Sequence, residues 1–470
     1  MSQPRSRTPP VDQAAMLAGP VSLAHRLVER FVPRGALTLA ILSLAYFGMG
    51  LIRNRVFANT FGAGPELDAY NAAFRIPEIA LDILVASGLS APFVPIFSRL
   101  REDPAGNRRA ERFGRTVLTF AIAVMTVAMA VLFVLAPWIA DSVFTSFDAP
   151  TRALYVELFR INCLAQILFA GSIALGEVLV ANRRFLFYGL APILYTGGIV
   201  LGTVVLGPTM GIEGSAVGAL LGAVGHLVIR AVGVARTGFG IGPSGEVRTA
   251  EFREFIRLML PRMLSYPIDP VVVFFITLLA TQQGPGNATA LSFVLDYQFV
   301  PVQVIAITFS LAVFPTLSAA YAEDDGPRFR SILVRNVATI GGLTGVAAIV
   351  LAVGAGLVIR DFLGGGRFDD QDVRLTSSLL VAFAISIPID SLSYPLSRAM
   401  YATHNTVYQV LASVVGLGTL VVLAELLVPA LGVFAIPFAY AAGGAAKLIV
   451  LAACLIPRVR RIGRDQASAG

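Results

Sequence analysis

Val117-Leu-Thr-Phe-Ala-Ile-Ala-Val-Met-Thr-Val-Ala-Met-Ala-Val-Leu-Phe-Val-Leu-Ala-Pro-Trp-Ile-Ala140 is 24 residues long and holds no charged side chain. A helix needs about 20 mostly apolar residues to cross the hydrocarbon of a bilayer, so the stretch reads as a membrane span. It is one of twelve apolar runs, at about 36–53, 69–97, 117–144, 153–181, 186–207, 212–235, 255–281, 288–320, 332–360, 374–402, 406–429 and 431–457. The 470 residues are 56% hydrophobic and only 14% charged, against roughly 25% charged in a soluble chain. The expected fold class is an all-α polytopic membrane protein with about 12 transmembrane helices. A secreted disulfide scaffold and a nucleic-acid-binding protein are excluded on the same grounds. Prolines inside the runs (Pro77, Pro92, Pro95, Pro261, Pro267, Pro270, Pro301, Pro388 and Pro395) predict bent helices. Such breaks are tolerated at membrane depth where they face protein or a wet cavity.

The net charge of +7 is a matter of topology. Arg5, Arg7, Arg26, Arg30 and Arg34 precede the first run, and Arg99, Arg101, Arg108, Arg109, Arg112 and Arg115 follow the second. Later even-numbered loops carry Arg183 and Arg184, then Arg236, Arg248 and Arg253, then Arg328 and Arg330, and the tail carries Arg458, Arg460, Arg461 and Arg464. Odd-numbered loops are poor in arginine; in 361–373 Arg367 is outnumbered by Asp361, Asp369, Asp370 and Asp372. The positive-inside rule then places both termini in the cytoplasm. Residues 21–32 segregate Leu23, Leu27, Val28 and Phe31 from His25, Arg26 and Arg30, as an interfacial helix would.

The chain repeats itself. Phe93-Val-Pro-Ile-Phe-Ser98 recurs as Val313-Phe-Pro-Thr-Leu-Ser318, each ahead of a charged turn. Two copies of six spans share one orientation, so they are expected as lobes related by a pseudo-twofold along the membrane normal, enclosing a midplane cavity. The expected division is a cytoplasmic segment 1–34, an N-lobe 35–235, an inter-lobe linker 236–254, a C-lobe 255–457 and a basic tail 458–470.

A charge at mid-bilayer costs about 2.5–3.5 kcal/mol on insertion scales, so each needs a reason. Arg53, Arg55, Asp68, Arg75, Glu78 and Asp82 cluster on the first two spans, and Arg75, Glu78 and Asp82 share one helical face. That face lines a cavity or pairs with another helix. Arg262, Asp269 and Asp296 form a second cluster, with Asp269 between Pro267 and Pro270, beside backbone that is expected to unwind. A carboxylate there suits a cation or proton site, or caps a broken helix. Arg160, Glu177, Asp390, Arg398, Glu425 and Lys447, the only lysine, fall near span ends and are expected to snorkel. No Walker A sequence, Gly-x-Ser-x-Gly elbow or metal-ligand spacing is present, so neither a cofactor nor an enzymatic activity is expected. Arginines in a cavity between lobes suit an anionic substrate, because the guanidinium fork grips phosphates and stays charged in any environment.

Arg53-Asn-Arg-Val-Phe-Ala-Asn-Thr-Phe-Gly-Ala-Gly64, Asp68-Ala-Tyr-Asn-Ala-Ala-Phe-Arg-Ile-Pro77 and Phe93–Ser98 resemble the MurJ/MviN lipid II flippases of the MOP transporter superfamily. Phe314–Ser318, Gly366–Asp369 and Leu396–Ala402 extend the resemblance through the second half. The resemblance implies two six-helix lobes alternating between inward- and outward-open states. The substrate it implies is an undecaprenyl-diphosphate-linked peptidoglycan precursor, moved from the inner to the outer leaflet of the bacterial inner membrane without ATP. It also implies Arg53, Asp68 and Arg75 as cavity residues, with Arg262 as a substitute cavity arginine. Asp269, Asp296, Glu78 and Asp82 are candidates for ion coupling by a cation or a proton, in a transport unit expected to be monomeric. Three departures stand out: Phe47, Leu81 and Asp296 occupy positions where the family usually has arginine. The rival expectations are another MOP transporter, either a lipid-linked oligosaccharide flippase or a cation-coupled drug exporter, and a non-transporting envelope scaffold.

Overall fold

The computed structural model describes residues 34–102, 106–263, 268–403, 407–460 and 462. The expected interfacial helix at 21–32, most of the basic tail and Pro267 lie outside them. The described residues form helices throughout, with no strand beyond an isolated bridge between Gly365 and Phe368. In chain order the helices are α1 (Arg34–Phe61), α2 (Pro65–Leu81), α3 (Ser87–Glu102), α4 (Gly106–Val143), α5 (Ala149–Ala181), α6 (Phe185–Val205) and α7 (Ile212–Ala235). After the linker come α8 (Ala250–Met263), α9 (Ile268–Thr281), α10 (Asn287–Pro301), α11 (Thr308–Ala322), α12 (Gly326–Phe362), α13 (Asp370–Ala384), α14 (Ser386–Ala402), α15 (Val407–Leu431) and α16 (Ala435–Val459).

Eight helical segments among the described residues are long and apolar enough to cross a membrane, or nine if the pair α13–α14, bent by 43°, counts as one span. One of the eight, Val407–Val459, holds both α15 and α16 on either side of a 3-10 turn at Gly432–Phe434. With the 28-residue α1 and the broken α8–α9 segment, the element order accommodates the twelve expected spans.

The internal repeat is deeper in the backbone than in the letters. A π-helical turn at Asp82–Ala86 separates α2 from α3, and a second at Val302–Ile307 separates α10 from α11. The second turn starts 220 residues after the first, the same spacing that separates Phe93 from Val313. The extra residue of a π turn interrupts the regular ladder and re-aims the faces beyond it. Each lobe therefore places one re-aimed span in an equivalent position.

In the N-lobe, α6 packs on α7 and α1, and α5 packs on α4, α7 and α2. The α6–α7 contact is backbone on backbone. A Cβ added at Gly198 would sit 2.5 Å from the Gly222 Cα, and one at Gly202 would sit 2.5 Å from the Gly218 Cα. Small residues let helices approach closely where lipid supplies no hydrophobic drive. In the C-lobe α15 packs on α16, and α14 on α16 and α12. The helix α8 leans on the N-lobe helices α3 and α4, where Phe255 meets Phe113 edge-on with ring centroids 5.9 Å apart and Phe252 meets Phe120 at 5.3 Å. The outward face of α12 shows Val346, Ile349, Val350, Val353 and Leu357, with Val353 84% exposed. Residues at these i, i+3, i+4, i+7 positions form one apolar stripe, which belongs in lipid.

Two buried polar side chains of the N-lobe find partners within it. His226 Nδ1 lies 2.7 Å from the Ser172 hydroxyl, and Arg230 donates to the Ser172 carbonyl at 2.9 Å while its guanidinium stacks on Tyr188 at 4.7 Å. Cys163 is buried and Cys454 half-buried, and both are free thiols.

Candidate functional site between the lobes

A cavity of about 790 Å³ opens between α1, contributed by residues 43–54, and the stretch 296–304 that runs from α10 into the second π turn. Tyr46, Phe47, Phe299 and Val304 make its wall largely apolar. Arg53 supplies the cationic group. Its Nη2 donates to Asp296 Oδ2 at 2.9 Å, and its Nε and Nη2 donate to Asn54 Oδ1 at 3.1 and 2.8 Å. Asn54 Nδ2 donates to the same Asp296 oxygen at 2.9 Å. The pair spans the lobes, and its side chains remain 29% and 45% exposed. Arg53 therefore lines this cavity, already matched by a carboxylate from the opposite lobe.

An adjoining cavity of about 310 Å³ is lined by Arg75, Asp269, Asp296, Gln298, Asp390, Tyr440 and Lys447 among others. Asp296 lines both cavities, so the two spaces meet across its carboxylate. Arg75 lies 3.9 Å from Glu78, a long contact, and its buried Nε has no hydrogen-bond partner among the described residues. A buried guanidinium N–H left unpaired is costly; the Arg75 side chain as a whole is 25% exposed and lines the cavity. Glu78 half-faces solvent at 42% side-chain exposure, and Asp82 opens the first π turn. Neither lines either cavity.

The C-lobe carboxylates form a cluster of their own. Lys447 Nζ on α16 lies 3.4 Å from Asp269 Oδ1 on α9. Asp390 on α14 accepts from Gln298 Nε2 at 3.0 Å, and the same Nε2 lies 3.0 Å from the Ser386 hydroxyl. Lys447 and Asp390 were expected to snorkel and instead face inward, because α16 and α14 turn these faces toward α9. Asp269 occupies the first turn of α9, which begins at Ile268, so its own backbone is helical rather than unwound. A carboxylate is favoured there by the helix dipole. The side chain of Arg262 lies outside the described residues.

Asp68 is a correction. It was expected to face the cavity, but it is 1% exposed. Its carboxylate accepts from the Gly286 N–H at 2.6 Å and from the Thr289 N–H and hydroxyl at 2.7 Å each. It caps the start of α10 from the other lobe, satisfying amides that a helix leaves orphaned. Around it the lobes are tied by backbone: Arg367 N–H donates to the Asn59 carbonyl at 2.9 Å, and Ala63 N–H to Asp372 Oδ2 at 3.0 Å. Arg55 donates to the carbonyls of Asp361 and Phe362 at 2.7 and 3.0 Å. This end of the vestibule is sealed. Phe47 lines the large cavity and Leu81 is buried at 8% exposure, so neither position supplies a cation.

At the opposite end, Arg99 bonds Glu254 at 2.5 Å and Arg109 bonds Glu251. The backbone N–H of Glu251 first, and then the Arg109 guanidinium, hold this carboxyl below the usual glutamate range. These pairs fasten α8 to α3 and α4. Asn54, Gln298, Asp390 and Lys447 were missed as site residues. A sole lysine inside an apolar run was the one available signal.

Comparison with known proteins agrees with this architecture. A family profile described as lipid II flippase MurJ matches residues 57–467. A probable lipid II flippase MurJ of Borreliella burgdorferi is 23% identical over 353 residues, covering 74% of this chain and 69% of that protein. One of Rhizobium meliloti is 24% identical over 463 residues, covering 93% and 82%. Among solved structures, lipid II flippase MurJ in an inward closed conformation superposes with TM-score 0.77 at 19% identity, covering 91% of this chain and 90% of that one. An inward-facing multidrug resistance MATE transporter of the MOP superfamily gives 0.74 at 15% identity, covering 92% and 99%.

Proposed function

The chain belongs to the MurJ lipid II flippase family, and from that premise we propose how its own residues carry a lipid-linked diphosphate from the inner to the outer leaflet. The observation that carries the reading is the pair of arginines, Arg53 and Arg75, reaching into adjoining cavities between the lobes. Guanidinium groups bind phosphate oxygens in pairs and keep their charge in a low-dielectric vestibule. The large cavity is bounded by lipid-compatible side chains, with Leu44 73%, Phe299 42% and Val304 57% exposed. In this reading the prenyl tail stays between α1 and α10 while the headgroup enters toward Arg53.

The arginine distribution supports cytoplasmic termini, which makes the end sealed by Asp68 periplasmic and the passage one of alternating access. The transport unit is a monomer in this reading, because both lobes come from one chain. Ion coupling falls to the C-lobe cluster: a cation or proton acting there has to exchange with the Lys447 ammonium beside Asp269 and Asp390. A cation-coupled drug exporter would need unmatched carboxylates in the vestibule. Asp296 is matched by Arg53 at 2.9 Å, which supports the anionic substrate at the large cavity; Asp269 lies 3.4 Å from Lys447, and Asp390 accepts from the neutral Gln298 amide.

The test is depletion of the resident flippase in a bacterium supplied with this chain as its only replacement, reading the leaflet accessibility of lipid II. Wild type is expected to restore outer-leaflet lipid II. Arg53→Ala and Arg75→Ala are each expected to lower it by roughly tenfold or more, a single charge-assisted contact being worth about 1.5–3 kcal/mol, while the purified variants stay monodisperse. Wild type that folds in the membrane and restores nothing rejects the flippase reading in favour of a scaffold. Retained transport in both variants rejects the cavity assignment.

A further inference from the structure

Asp296 occupies the position an anionic ligand would take. Its carboxylate sits on the Nη2 edge of Arg53 at 2.9 Å and is steadied by Asn54 Nδ2 at 2.9 Å. It comes from α10, whereas Arg53 and Asn54 come from α1, so the same bonds tie the two lobes together at the large cavity. Both side chains stay partly exposed, and ion pairs in that setting hold weakly. Next to it, across the Asp296 carboxylate, lies Arg75 with its Nε unpartnered among the described residues.

Resting on the flippase reading above, we infer that Asp296 is a surrogate phosphate: it holds Arg53 until a diphosphate takes its place, and that exchange severs the ion pair joining α1 to α10. Replacing a carboxylate by a phosphate monoester or diester on one arginine only trades one anion for another. A diphosphate offers a second phosphate to Arg75, and this second contact drives the exchange. Binding and loosening of the α1–α10 contact are then one event, and substrate recognition becomes the trigger for rearrangement at the large cavity. Asp296 is a positioning residue in this scheme, acting through Arg53. The charged groups around the exchange are Arg53 from α1, Arg75 and its neighbour Glu78 from α2, Asp269 from α9, Asp296 from α10, Asp390 from α14 and Lys447 from α16.

The experiment uses the full chain in lipid nanodiscs, with Cys163→Ala and Cys454→Ala as background. Spin labels on Leu44→Cys in α1 and Val304→Cys in the π turn after α10, both lining the large cavity, report the α1–α10 distance by double electron–electron resonance. The ligands are a short-chain prenyl diphosphate and the matching prenyl monophosphate. In the parent the diphosphate is expected to widen the distance distribution, and the monophosphate to leave it unchanged. Asp296→Asn is expected to show the widened distribution before any ligand is added and to bind the diphosphate about three- to tenfold more tightly. Asp296→Glu restores the ligand-dependent shift, and the swapped pair Arg53→Asp with Asp296→Arg controls for folding.

The inference is overturned if Asp296→Asn keeps the parental distances and affinity, or if the monophosphate moves the labels as far as the diphosphate does. Lipid II accessibility is read separately in cells that express the same cysteine variant unlabelled. Flipping without a ligand-dependent shift sinks only the exchange. A shift without lipid II flipping sinks the substrate assignment and leaves the exchange standing.

Discussion

Asp68 shows how much a single buried carboxylate can hold. Three donors from the first turn of α10 converge on it. Removing it strands two backbone amides in a site with 1% exposure. Losing a helix cap costs about 0.5–2 kcal/mol and leaving a buried donor unsatisfied about 1–3 kcal/mol. Asp68→Ala is therefore expected to destabilise the protein by about 2 kcal/mol or more, measured as a lowered unfolding midpoint in detergent, and Asp68→Asn by less. A midpoint that does not move would show that the cap is idle. The sequence pointed to Asp68 as a charge needing a reason, but the reason lies 218 residues away and no local pattern carries that distance. Arg53 was legible as one of a cluster of charges on the first two spans and, through the family resemblance, as a cavity arginine. Its partner Asp296 was legible only as a charge out of place. Asp390 and Lys447 were misread because nearness to a span end says nothing about which way the helix face turns.

At the scale of elements, the α6–α7 contact depends on glycine where backbones touch. A Cβ at Gly198 has only 2.5 Å to the Gly222 Cα, whereas one at the neighbouring Gly197 meets nothing within 4 Å. Overpacking of this kind costs typically 1–3 kcal/mol, while glycine in an open helical position costs roughly 0.5–1 kcal/mol relative to alanine. Gly198→Ala is expected to lower thermal stability, and Gly197→Ala to leave it unchanged or raise it slightly. Equal effects at both positions would refute the backbone contact. Helix positions were legible from hydropathy, since about 20 apolar residues in a row admit few alternatives. The two π turns were not, because a one-residue widening leaves the period of apolar residues almost intact. They emerge as a pair only when the 220-residue offset of the Phe93 and Val313 motifs is laid over the backbone.

For the whole molecule, the lobes are tied at the end where residues 59–68 meet 286–289 and 361–372. The Asn59 carbonyl and the Arg367 amide are hydrogen-bonded at 2.9 Å, which brings their Cα atoms within range of a disulfide. Oxidised Asn59→Cys with Arg367→Cys is expected to abolish lipid II flipping and to recover it on reduction. Full activity while cross-linked would exclude opening at this seal. The two-lobe plan was legible from the motif repeat and the arginine alternation, because an even number of spans per copy fixes their relative orientation. The closure of one end was not, since Asp68, Asp372 and Arg55 each meet backbone groups hundreds of residues away, which no local pattern announces.

Lys447 has one more consequence. It is the only lysine in the chain, and its ε-amine stands 3.4 Å from Asp269 with 18% of the side chain accessible. Acylating reagents thus find a single internal address, and it sits inside the vestibule rather than on a loop. The rate at which that one nitrogen is tagged, compared between protein alone and protein loaded with ligand, turns an accident of composition into a native clock for how often the interior meets water.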